Sequence, residues 1–367
     1  MTAWRYLIHD EVAAADGLAV DEALMTRYGR GGEPGATLRL YGYHGCALVG
    51  RYQSLPDEID EEACAARGVE VGRRPTGGGA IIMTPGQLGV AVTARASASE
   101  SPREALGRYA RGVIAGLADL GIAAHFRHKN DLEVDGRKVA GLGLYLDPAG
   151  AVLFHASVLV DLDVRHMLEV LRIPGAKLSD KAVARVDERV TTVSRELGRP
   201  LVARDVRDAF AGGFARAFEV NLQPVGLDAA ERVQARELAE RKYRTRAWID
   251  QDSPLRDARG SALLKTPEGL VRIYVAVHGE SIKSVLFAGD YNTVPAEIPR
   301  LEAALRWCRA DQASITGETT RVFGDTGLGA RPGALAAAVW EATARALELQ
   351  QTAHPLRDGS CYFPDEA

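Results

Sequence analysis

The sequence predicts an α+β fold in two domains, and three observations support this prediction. The chain has 367 residues, more than most single domains contain, and its hydrophobic fraction of 46% is typical of globular proteins. Strand patterns and amphipathic helices follow one another through the first 225 residues. From about residue 246 the pattern changes to short strands in close succession. We therefore expect a first domain at 1–225, a linker helix at 226–242, a smaller α+β domain at 243–350 and a poorly ordered tail at 351–367.

Apolar periodicity predicts the elements of the first domain in order. Alternation predicts strands at 4–9, 37–42, 46–51, 88–93, 130–134, 137–143 and 152–160. Helical spacing predicts helices at 16–25, 56–67, 102–120, 165–171, 179–184, 202–218 and 229–242. In the second domain we expect strands at 262–266, 270–277 and 282–287 and helices at 298–309 and 335–349.

Composition excludes several classes of protein. The formal net charge is −4 and no long basic run is present, so we do not expect binding to nucleic acid. The N-terminus has no apolar signal core, and no run approaches the length of a membrane span. The four cysteines lack CxxC spacing, which disfavours a zinc site or a disulfide scaffold. We expect a soluble, cytoplasmic protein without membrane attachment.

The stretch 72–82, Gly-Arg-Arg-Pro-Thr-Gly-Gly-Gly-Ala-Ile-Ile, carries the strongest functional signal. Three consecutive glycines are costly for folding, but they let a backbone pass close to a ligand and leave N–H groups free. Paired arginines supply planar donors suited to phosphate. The pattern predicts a loop that cradles a ligand, and a surface turn with two solvated arginines is the alternative.

Other polar residues are ambiguous by themselves. Lys138 interrupts an apolar strand, where an unpaired ammonium is expensive to bury, but it also fits a strand with one wet face. His155 ends an apolar run and is consistent with a satisfied core histidine. Adjacent helical residues point apart, so Asp21 and Glu22 are expected to cap and solvate their helix rather than act together. Cys46, between apolar neighbours, is expected to be buried and inert.

Taken together, four blocks resemble the lipoate–protein ligases of the biotin/lipoate ligase superfamily. They occur in the family's order and spacing, over roughly residues 1–200. The blocks are Leu18–Leu24; Leu38–Tyr41 with Val49–Gln53; Arg73–Ala80; and Asn130-Asp131 with Gly136–Gly141 and His155. The resemblance implies a mixed β-sheet catalytic domain flanked by helices, followed by a small C-terminal accessory domain that includes Phe287–Tyr291.

The resemblance also implies an activity. Such a ligase uses ATP and Mg²⁺ to activate lipoate, or octanoate, as an acyl-adenylate. It then transfers the acyl group to a lysine of an apo lipoyl-carrier protein, such as the lipoyl domain of a 2-oxoacid dehydrogenase or the glycine cleavage carrier.

Family motifs place the site residues as follows. Lys138 would be catalytic, bridging the acyl carbonyl and a phosphate oxygen, and Arg73 would lie near that phosphate. Asp131 is the implied candidate for a Mg²⁺ ligand. The implied residues for binding substrate and nucleotide are Arg73, Thr76, Gly77, Gly78, Gly79, Ala80, Asn130, Asp131, Lys138, Ala140, Gly141 and His155.

The chain departs from the family at three places. Met83-Thr84 stand where the family has His-Asp, Gly141-Leu142-Gly143 where it has Gly-Ser-Ala, and His155-Ala156-Ser157 where it has His-Gly-Thr. These changes put the acid preference in question and leave two alternatives open.

One alternative is a transferase that takes an octanoyl or lipoyl group from acyl carrier protein. It would need a pocket thiolate, yet no cysteine lies between Cys64 and Cys308, and His125 stands about where one is expected. The other alternative is a non-catalytic homologue that binds lipoyl domains.

Overall fold

The computed structural model describes residues 2–29, 32–97, 99–127, 130–172, 180–251, 260–267, 269–290, 295–324 and 332–352. The chain divides into two compact units, Met1–Gln251 and Asp252–Ala367. The first unit therefore extends past the boundary expected near 225. Segment 226–242 belongs to it because its side chains pair there: Glu231 accepts from Arg5 and Arg27, and Lys242 donates to Glu22. Residues 353–367 of the expected tail lie outside the described residues.

The first unit contains the strands and helices that the alternating and helical patterns predict. Its strands are β1 (Thr2–Val12), β2 (Ala36–Tyr43), β3 (Cys46–Val49), β4 (Glu70–Arg73), β5 (Ile81–Met83), β6 (Gln87–Arg95), β7 (His125–Arg127), β8 (Asp131–Val134), β9 (Arg137–Leu146), β10 (Ala151–Leu159) and β11 (Val220–Pro224). Its helices are α1 (Ala14–Thr26), α2 (Leu55–Glu58), α3 (Glu61–Ala66), α4 (Pro102–Asp119), α5 (Val164–Val170), α6 (Asp180–Asp187), α7 (Val193–Glu196), α8 (Ala203–Phe218), α9 (Ala229–Leu238) and α10 (Arg246–Ile249), with a π-helical turn at Ala239–Tyr243.

Within the described residues, eight strands form one mixed sheet in the order β11-β1-β2-β6-β10-β9-β8-β7. The strands β11, β1 and β2 run parallel to one another, and the other neighbours are antiparallel. The strands β4, β3 and β5 form a separate small sheet. This small sheet carries the glycine-rich stretch between β4 and β5.

The two faces of the large sheet have different partners. Phe154 and Val158 of β10 belong to a core formed with α4 and α8, whereas Leu153 belongs to a second core formed with α1 and the small sheet. Side chains alternate along a strand, so His155 and Ser157 share the second face. The polar residues of interest therefore lie on the side of α1.

The face of the large sheet opposite α1 is covered by the closely packed helices α4 and α8. Ser101 caps α4 and exchanges hydrogen bonds with Glu104 in a capping box, which satisfies donors at the helix start. Gly112 of α4 lies against Phe214 of α8, where an added Cβ would come within 2.5 Å of the ring. This close contact of α4 and α8 supports one face of the sheet, and the other face packs against α1.

The second unit has the expected three strands. They are β12 (Gly260–Thr266), β13 (Gly269–His278) and β14 (Ser281–Gly289), which form an antiparallel sheet in that order. Its helices are α11 (Glu297–Leu305), α12 (Gln312–Phe323) and α13 (Pro332–Thr352). α13 packs on β12, where a Cβ on Gly260 would lie 1.9 Å from Ala342 O. The prediction of a small α+β domain is confirmed.

One helix of the second unit was missed from the sequence, and a predicted one is shorter. α12 begins after Asp311, whose side chain accepts from Ser314 N. The helix expected at 298–309 ends at Leu305, and the chain then turns at Trp307, which has a positive φ of 68°. None of the helices in the described ranges has the length and apolar character needed to cross a membrane.

Candidate active site

A cavity of about 100 Å³ lies between α1, the small sheet and the second face of the large sheet. Apolar side chains make up much of its wall, and polar groups are clustered on β9, β10 and the glycine-rich stretch. The lining residues are Leu18, Tyr41, Tyr43, Leu48, Arg74, Thr76, Gly79, Ala80, Ile81, Met83, Asn130, Lys138, Gly141, Leu142, Gly143, His155, Ala156 and Ser157.

Two glycines of β9 allow polar side chains to lie directly on the strand backbone. A Cβ on Gly141 would lie 3.2 Å from Lys138 Nζ, and one on Gly143 would lie 3.1 Å from Thr76 Oγ1. Thr76 is buried, and its hydroxyl has no hydrogen-bond partner among the described residues. A buried hydroxyl without a partner is costly, so a ligand atom that bonds to it would be favoured.

The glycine-rich stretch rests on the end of β3. A Cβ on Gly50 would lie 1.9 Å from Gly78 O, and Gly78 itself has a positive φ of 92°. Arg51 N donates to Thr76 O at 3.0 Å. Glycine is needed at both positions, because one backbone passes directly over the other and one turn is left-handed. The stretch is therefore a held loop rather than a free surface turn.

The two arginines of this stretch have different environments. Arg73 is fully buried and donates to backbone carbonyls of Gly50, Gln53 and Ile249. Arg74 lines the cavity and donates to Gly77 O at 2.9 Å and Gly79 O at 2.7 Å. Neighbouring strand residues point to opposite faces, so one arginine of the pair faces away from the cavity. The structure does not bring Arg73 to the cavity, and of the two arginines it is Arg74 that lines it.

Lys138 forms an ion pair at the accessible side of the cavity. Its Nζ lies 2.7 Å from Asp131 Oδ1, and the two side chains are 36% and 30% exposed. The approach is close but lacks hydrogen-bond geometry, so the attraction is that of an ion pair. In the described part of the chain no group of three or more His, Cys, Asp or Glu side chains could hold a metal ion. The protein side chains around Asp131 therefore do not form a metal site by themselves.

A second ion pair lies behind the cavity. Asp21 and Arg39 are 0% and 1% exposed; Arg39 Nη1 lies 2.6 Å from Asp21 Oδ1, and His155 Nε2 lies 2.9 Å from Asp21 Oδ2. Arg39 Nε also donates to His9 Nδ1 at 2.9 Å. Burial by itself would raise the pKa of Asp21, but the charge of Arg39 and the hydrogen bond from His155 hold that pKa below its usual range. Asp21 is therefore a carboxylate that fixes the ring of His155.

The described cysteines offer no activated thiol in the cavity. Cys46 and Cys64 are fully buried, and no cysteine lines the cavity among the described residues. Burial raises the pKa of Cys46 well above its usual value, and burial raises the pKa of Cys64 to about 11. Cys308 belongs to the second unit. A thiol of raised pKa in apolar surroundings is a poor nucleophile at neutral pH.

Most of the residues expected from the sequence lie at the cavity. Those that line it are Thr76, Gly79, Ala80, Asn130, Lys138, Gly141 and His155, whereas Arg73, Gly77, Gly78, Asp131 and Ala140 do not. Gly77 and Gly78 belong to the supporting turn, and Ala140 is part of the core on the opposite face. Tyr41, Tyr43, Arg74 and Gly143 were missed.

The expectation that Asp21 caps and solvates its helix is wrong, because Asp21 is fully buried. A signal for this was present in the sequence: Asp21 shares the helical spacing of the apolar Leu18 and Met25. Arg39 lies between Leu38 and Leu40 on β2. Alternation therefore places its side chain on the face opposite to that of the two leucines.

Comparison with known proteins identifies relatives for the first unit. The family model described as "Lipoyl protein ligase A/B catalytic domain" matches residues 13–215. Octanoyltransferase LipM of Symbiobacterium thermophilum is 34% identical over 275 residues, which are 67% of this chain and 98% of that protein. Octanoyltransferase LipM of Kyrpidia tusciae is 32% identical, over 68% of this chain and 98% of that protein. About a third of this chain thus has no counterpart in these relatives.

Solved structures of lipoate ligases share the fold. A bi-partite lipoate protein ligase from Thermoplasma acidophilum superposes with a TM-score of 0.62 at 26% identity, covering 70% of this chain and 99% of that one. P. falciparum LipL1, solved in complex with lipoate, gives a TM-score of 0.68 at 15% identity over 87% of this chain and 94% of that one, which is a likeness of fold alone. The expected fold, a mixed sheet flanked by helices with a small C-terminal α+β region, is confirmed. The names of the curated relatives favour the transferase alternative over the expected ATP-dependent ligase.

Proposed function

This chain belongs to the family of lipoyl protein ligase A/B catalytic domains, an enzyme superfamily of lipoate ligases and octanoyltransferases, and on that premise we propose that it transfers a lipoyl or octanoyl group to a lysine of a lipoyl-carrier domain. The observation that carries the proposal is a largely apolar cavity with the Lys138 ammonium at its accessible side. Apolar walls suit an acyl chain, and an ammonium suits the charge that develops on an acyl oxygen.

The polar residues have separate tasks in this proposal. Lys138 stabilises the oxygen of the tetrahedral intermediate and the departing group. Thr76 donates its unpartnered hydroxyl to the substrate, and Arg74 keeps the glycine-rich loop open toward it. Asn130, which lines the same wall, contributes an amide near the acyl oxygen. One preorganised donor of this kind typically lowers the barrier by ~3–4 kcal/mol.

A cavity without a thiol among its described lining residues favours an acyl-adenylate as the acyl donor. An adenylate carries its own good leaving group, so the amine of the carrier lysine attacks it directly and no enzyme thiol is needed. The amine forms the new C–N bond, the C–O bond to phosphate breaks with its electron pair on AMP, and the two protons of the original ammonium leave to solvent. This donor makes the chain an ATP-dependent lipoate–protein ligase that takes ATP with Mg²⁺ and lipoate or octanoate as substrates.

A second candidate is favoured by the relatives, which are named octanoyltransferases. Such an enzyme takes the acyl group from the thioester of acyl carrier protein and uses neither ATP nor Mg²⁺. A covalent route would need a thiolate, and the described thiols are buried or lie in the second unit. We therefore retain a transferase as the second candidate, in which the carrier amine attacks the thioester directly.

The acceptor in both candidates is a lipoyl domain. The related Thermoplasma acidophilum ligase was studied with its E2 lipoyl domain. We infer the same class of acceptor for this chain, without assigning it to a particular dehydrogenase or to the glycine cleavage carrier.

Mass spectrometry of an apo lipoyl domain tests the proposal. The domain is incubated with enzyme and either octanoate or lipoate with ATP and Mg²⁺, or octanoyl-acyl carrier protein without nucleotide. A lipoyl domain with its target lysine replaced by arginine is the control. Acylation in the ATP arm alone supports the ligase, and acylation in the thioester arm alone supports the transferase. Binding of the domain without acylation in either arm would overturn the proposal and support a non-catalytic homologue.

A further inference from the structure

We infer that Asp131 is a positioning residue, whose carboxylate acts with a β-bulge at Val139 to hold the Lys138 ammonium in the cavity, and that it is not a magnesium ligand. The inference deepens the proposed function and rests on it, because it assigns how the reacting end of the same site is assembled. It replaces the role that family resemblance implies for Asp131.

The bulge decides which face Lys138 occupies. Along β8 and β9, Asp131 pairs with Gly141 and Leu132 with Ala140, but Glu133 pairs with Lys138, so Val139 is an extra residue. Val139 and Ala140 both lie in the core on the side of α4. With regular alternation, Lys138 would point to the same side as Ala140. The bulge moves it to the side of Gly141, where the cavity lies, as bulges beside active sites commonly do.

The backbone of Lys138 is fixed on its other edge as well. Lys138 N donates to Arg189 O at 2.9 Å, and Thr191 N donates to Lys138 O at 2.8 Å. A residue in a bulge often loses such partners, because the ladder is interrupted there. Here the segment 189–191 satisfies both groups. The lysine therefore starts from a rigid backbone position, and only its flexible side chain remains to be held.

Asp131 holds that side chain. It is the cross-strand partner of Gly141, which has no side chain to separate it from Lys138. A Cβ built on Gly141 would lie 3.2 Å from Lys138 Nζ and 4.0 Å from Asp131 Oδ1. The ammonium is thus folded down over the glycine and against the carboxylate, 2.7 Å from Oδ1. A lysine has several rotatable bonds, so an anchor at its charged end reduces the entropy lost on reaction.

The same contact disfavours a metal at Asp131. A Mg²⁺ ion would have to displace the ammonium or share the carboxylate with it, and two cations at one carboxylate repel each other. The described residues provide no further acidic or histidine cluster around it. Any Mg²⁺ that accompanies ATP would then be held by phosphates and water.

A double-mutant cycle tests the inference with the full-length enzyme. Transfer rates to an apo lipoyl domain are measured for the wild type, Asp131→Asn, Lys138→Ala and the double variant. We expect Asp131→Asn to lower kcat by roughly tenfold to a hundredfold, as for a misaligned catalytic group, and to have no further effect in the Lys138→Ala background. Asp119→Asn is the matched control: its carboxylate on α4 is also 30% exposed, pairs with Arg216 and lies outside the cavity lining. It should retain wild-type rates.

Magnesium dependence separates the two roles of Asp131. With ATP as co-substrate, the Mg²⁺ concentration that gives half-maximal rate should be the same in Asp131→Asn and the wild type. A several-fold rise in that concentration, or an equal loss of rate in the presence and absence of Lys138, would overturn the inference and make Asp131 a metal ligand.

A chemical readout does not depend on the activity. Brief labelling with an amine-reactive reagent, followed by peptide mass spectrometry, reports how freely Lys138 reacts. Asp131→Asn should speed labelling of Lys138 severalfold, while Asp119→Asn leaves it unchanged. Unchanged labelling in Asp131→Asn would contradict the holding role. If the wild type acylates no lipoyl domain while labelling still responds to Asp131, the proposed function fails and the positioning contact stands.

Discussion

Two ion pairs at the cavity differ in burial, and this difference separates a structural role from a chemical one. Asp21 and Arg39 are 0% and 1% exposed, whereas Lys138 and Asp131 are 36% and 30% exposed. The buried pair has further partners, since Asp21 meets His155 and Arg39 meets His9. The exposed pair consists of one contact over a glycine.

This difference in burial indicates which of the two ion pairs must stay intact for the fold. Removing one partner of a buried pair leaves a charge in a medium that cannot solvate it, so that pair must stay intact. A partly exposed pair is worth little for stability, because water solvates each charge when they separate. Lys138, held at its charged end by Asp131, can therefore meet a substrate without loss of stability, while Asp21 keeps the wall of the cavity in place.

The largest expected effect concerns stability. Arg39→Met removes the buried guanidinium but keeps much of its length, and it should lower the free energy of unfolding by about 3–5 kcal/mol. Urea unfolding followed by circular dichroism measures this value. Asp131→Asn, the matched change in the exposed pair, should cost at most about 1 kcal/mol. Equal losses for the two variants would break the comparison.

The second effect concerns activity. Lys138→Ala should slow acyl transfer about 10²–10³-fold, the typical cost of removing one preorganised donor to a developing oxyanion. Its unfolding free energy should stay close to that of the wild type, because the ammonium is partly exposed. Lys242→Ala is the control, since Lys242 pairs with Glu22 and does not line the cavity. A folded Lys138→Ala enzyme with wild-type rates would remove Lys138 from the chemistry.

A smaller effect is expected where the buried pair meets the cavity. His155→Phe removes the hydrogen bond to Asp21 Oδ2 while it keeps a ring of similar size. The unfolding free energy should fall by about 1–3 kcal/mol, because a buried carboxylate oxygen loses its partner. The Asp21→Asn/His155→Phe double variant should lose less than the sum of the two single losses. Additive losses would show that the two side chains do not act as a unit.

The smallest effect is a pH dependence. Burial and then the charge of Arg39 lower the pKa of His9 from 6.5 to about 4 in the folded protein. As the pH falls from about 6.5 toward 4, the unfolded chain therefore takes up a proton that the folded protein does not, and stability decreases. His9→Gln removes this proton uptake, so its stability should fall less over that window. Unfolding curves at several pH values measure the difference, and parallel curves for the two proteins would contradict the pKa assignment.

Hydrophobic periodicity predicted much of the fold, because the spacing of apolar residues indicates which face of a helix or strand is buried. Leu38 and Leu40 on β2, or Val113 and Leu117 on α4, identify their buried side from spacing alone. The extent of the first unit, to Gln251, depends on long-range pairs such as Glu231 with Arg5, which no local pattern reveals. The helix α12 was missed for a different reason: its local start signal is the capping residue Asp311, and its buried apolar residues are few.

The site was less predictable for a geometric reason. Motifs located Lys138 and the glycine-rich stretch, but they could not say which of Arg73 and Arg74 faces the cavity. Alternation shows only that the two differ. The bulge at Val139 reverses the alternation of β9, so a regular strand pattern would have placed Lys138 on the wrong face.

The central claim is that this cavity transfers an acyl group with Lys138 and without an enzyme thiol. The most direct test replaces all four cysteines, Cys46, Cys64, Cys308 and Cys361, by alanine and measures acylation of an apo lipoyl domain by mass spectrometry. The folded cysteine-free enzyme should acylate the domain at a rate comparable to that of the wild type. Wild-type enzyme that is denatured in the middle of turnover should carry no covalently bound acyl group. Loss of transfer in the folded cysteine-free enzyme, together with an acyl group bound to a wild-type cysteine, would contradict the claim.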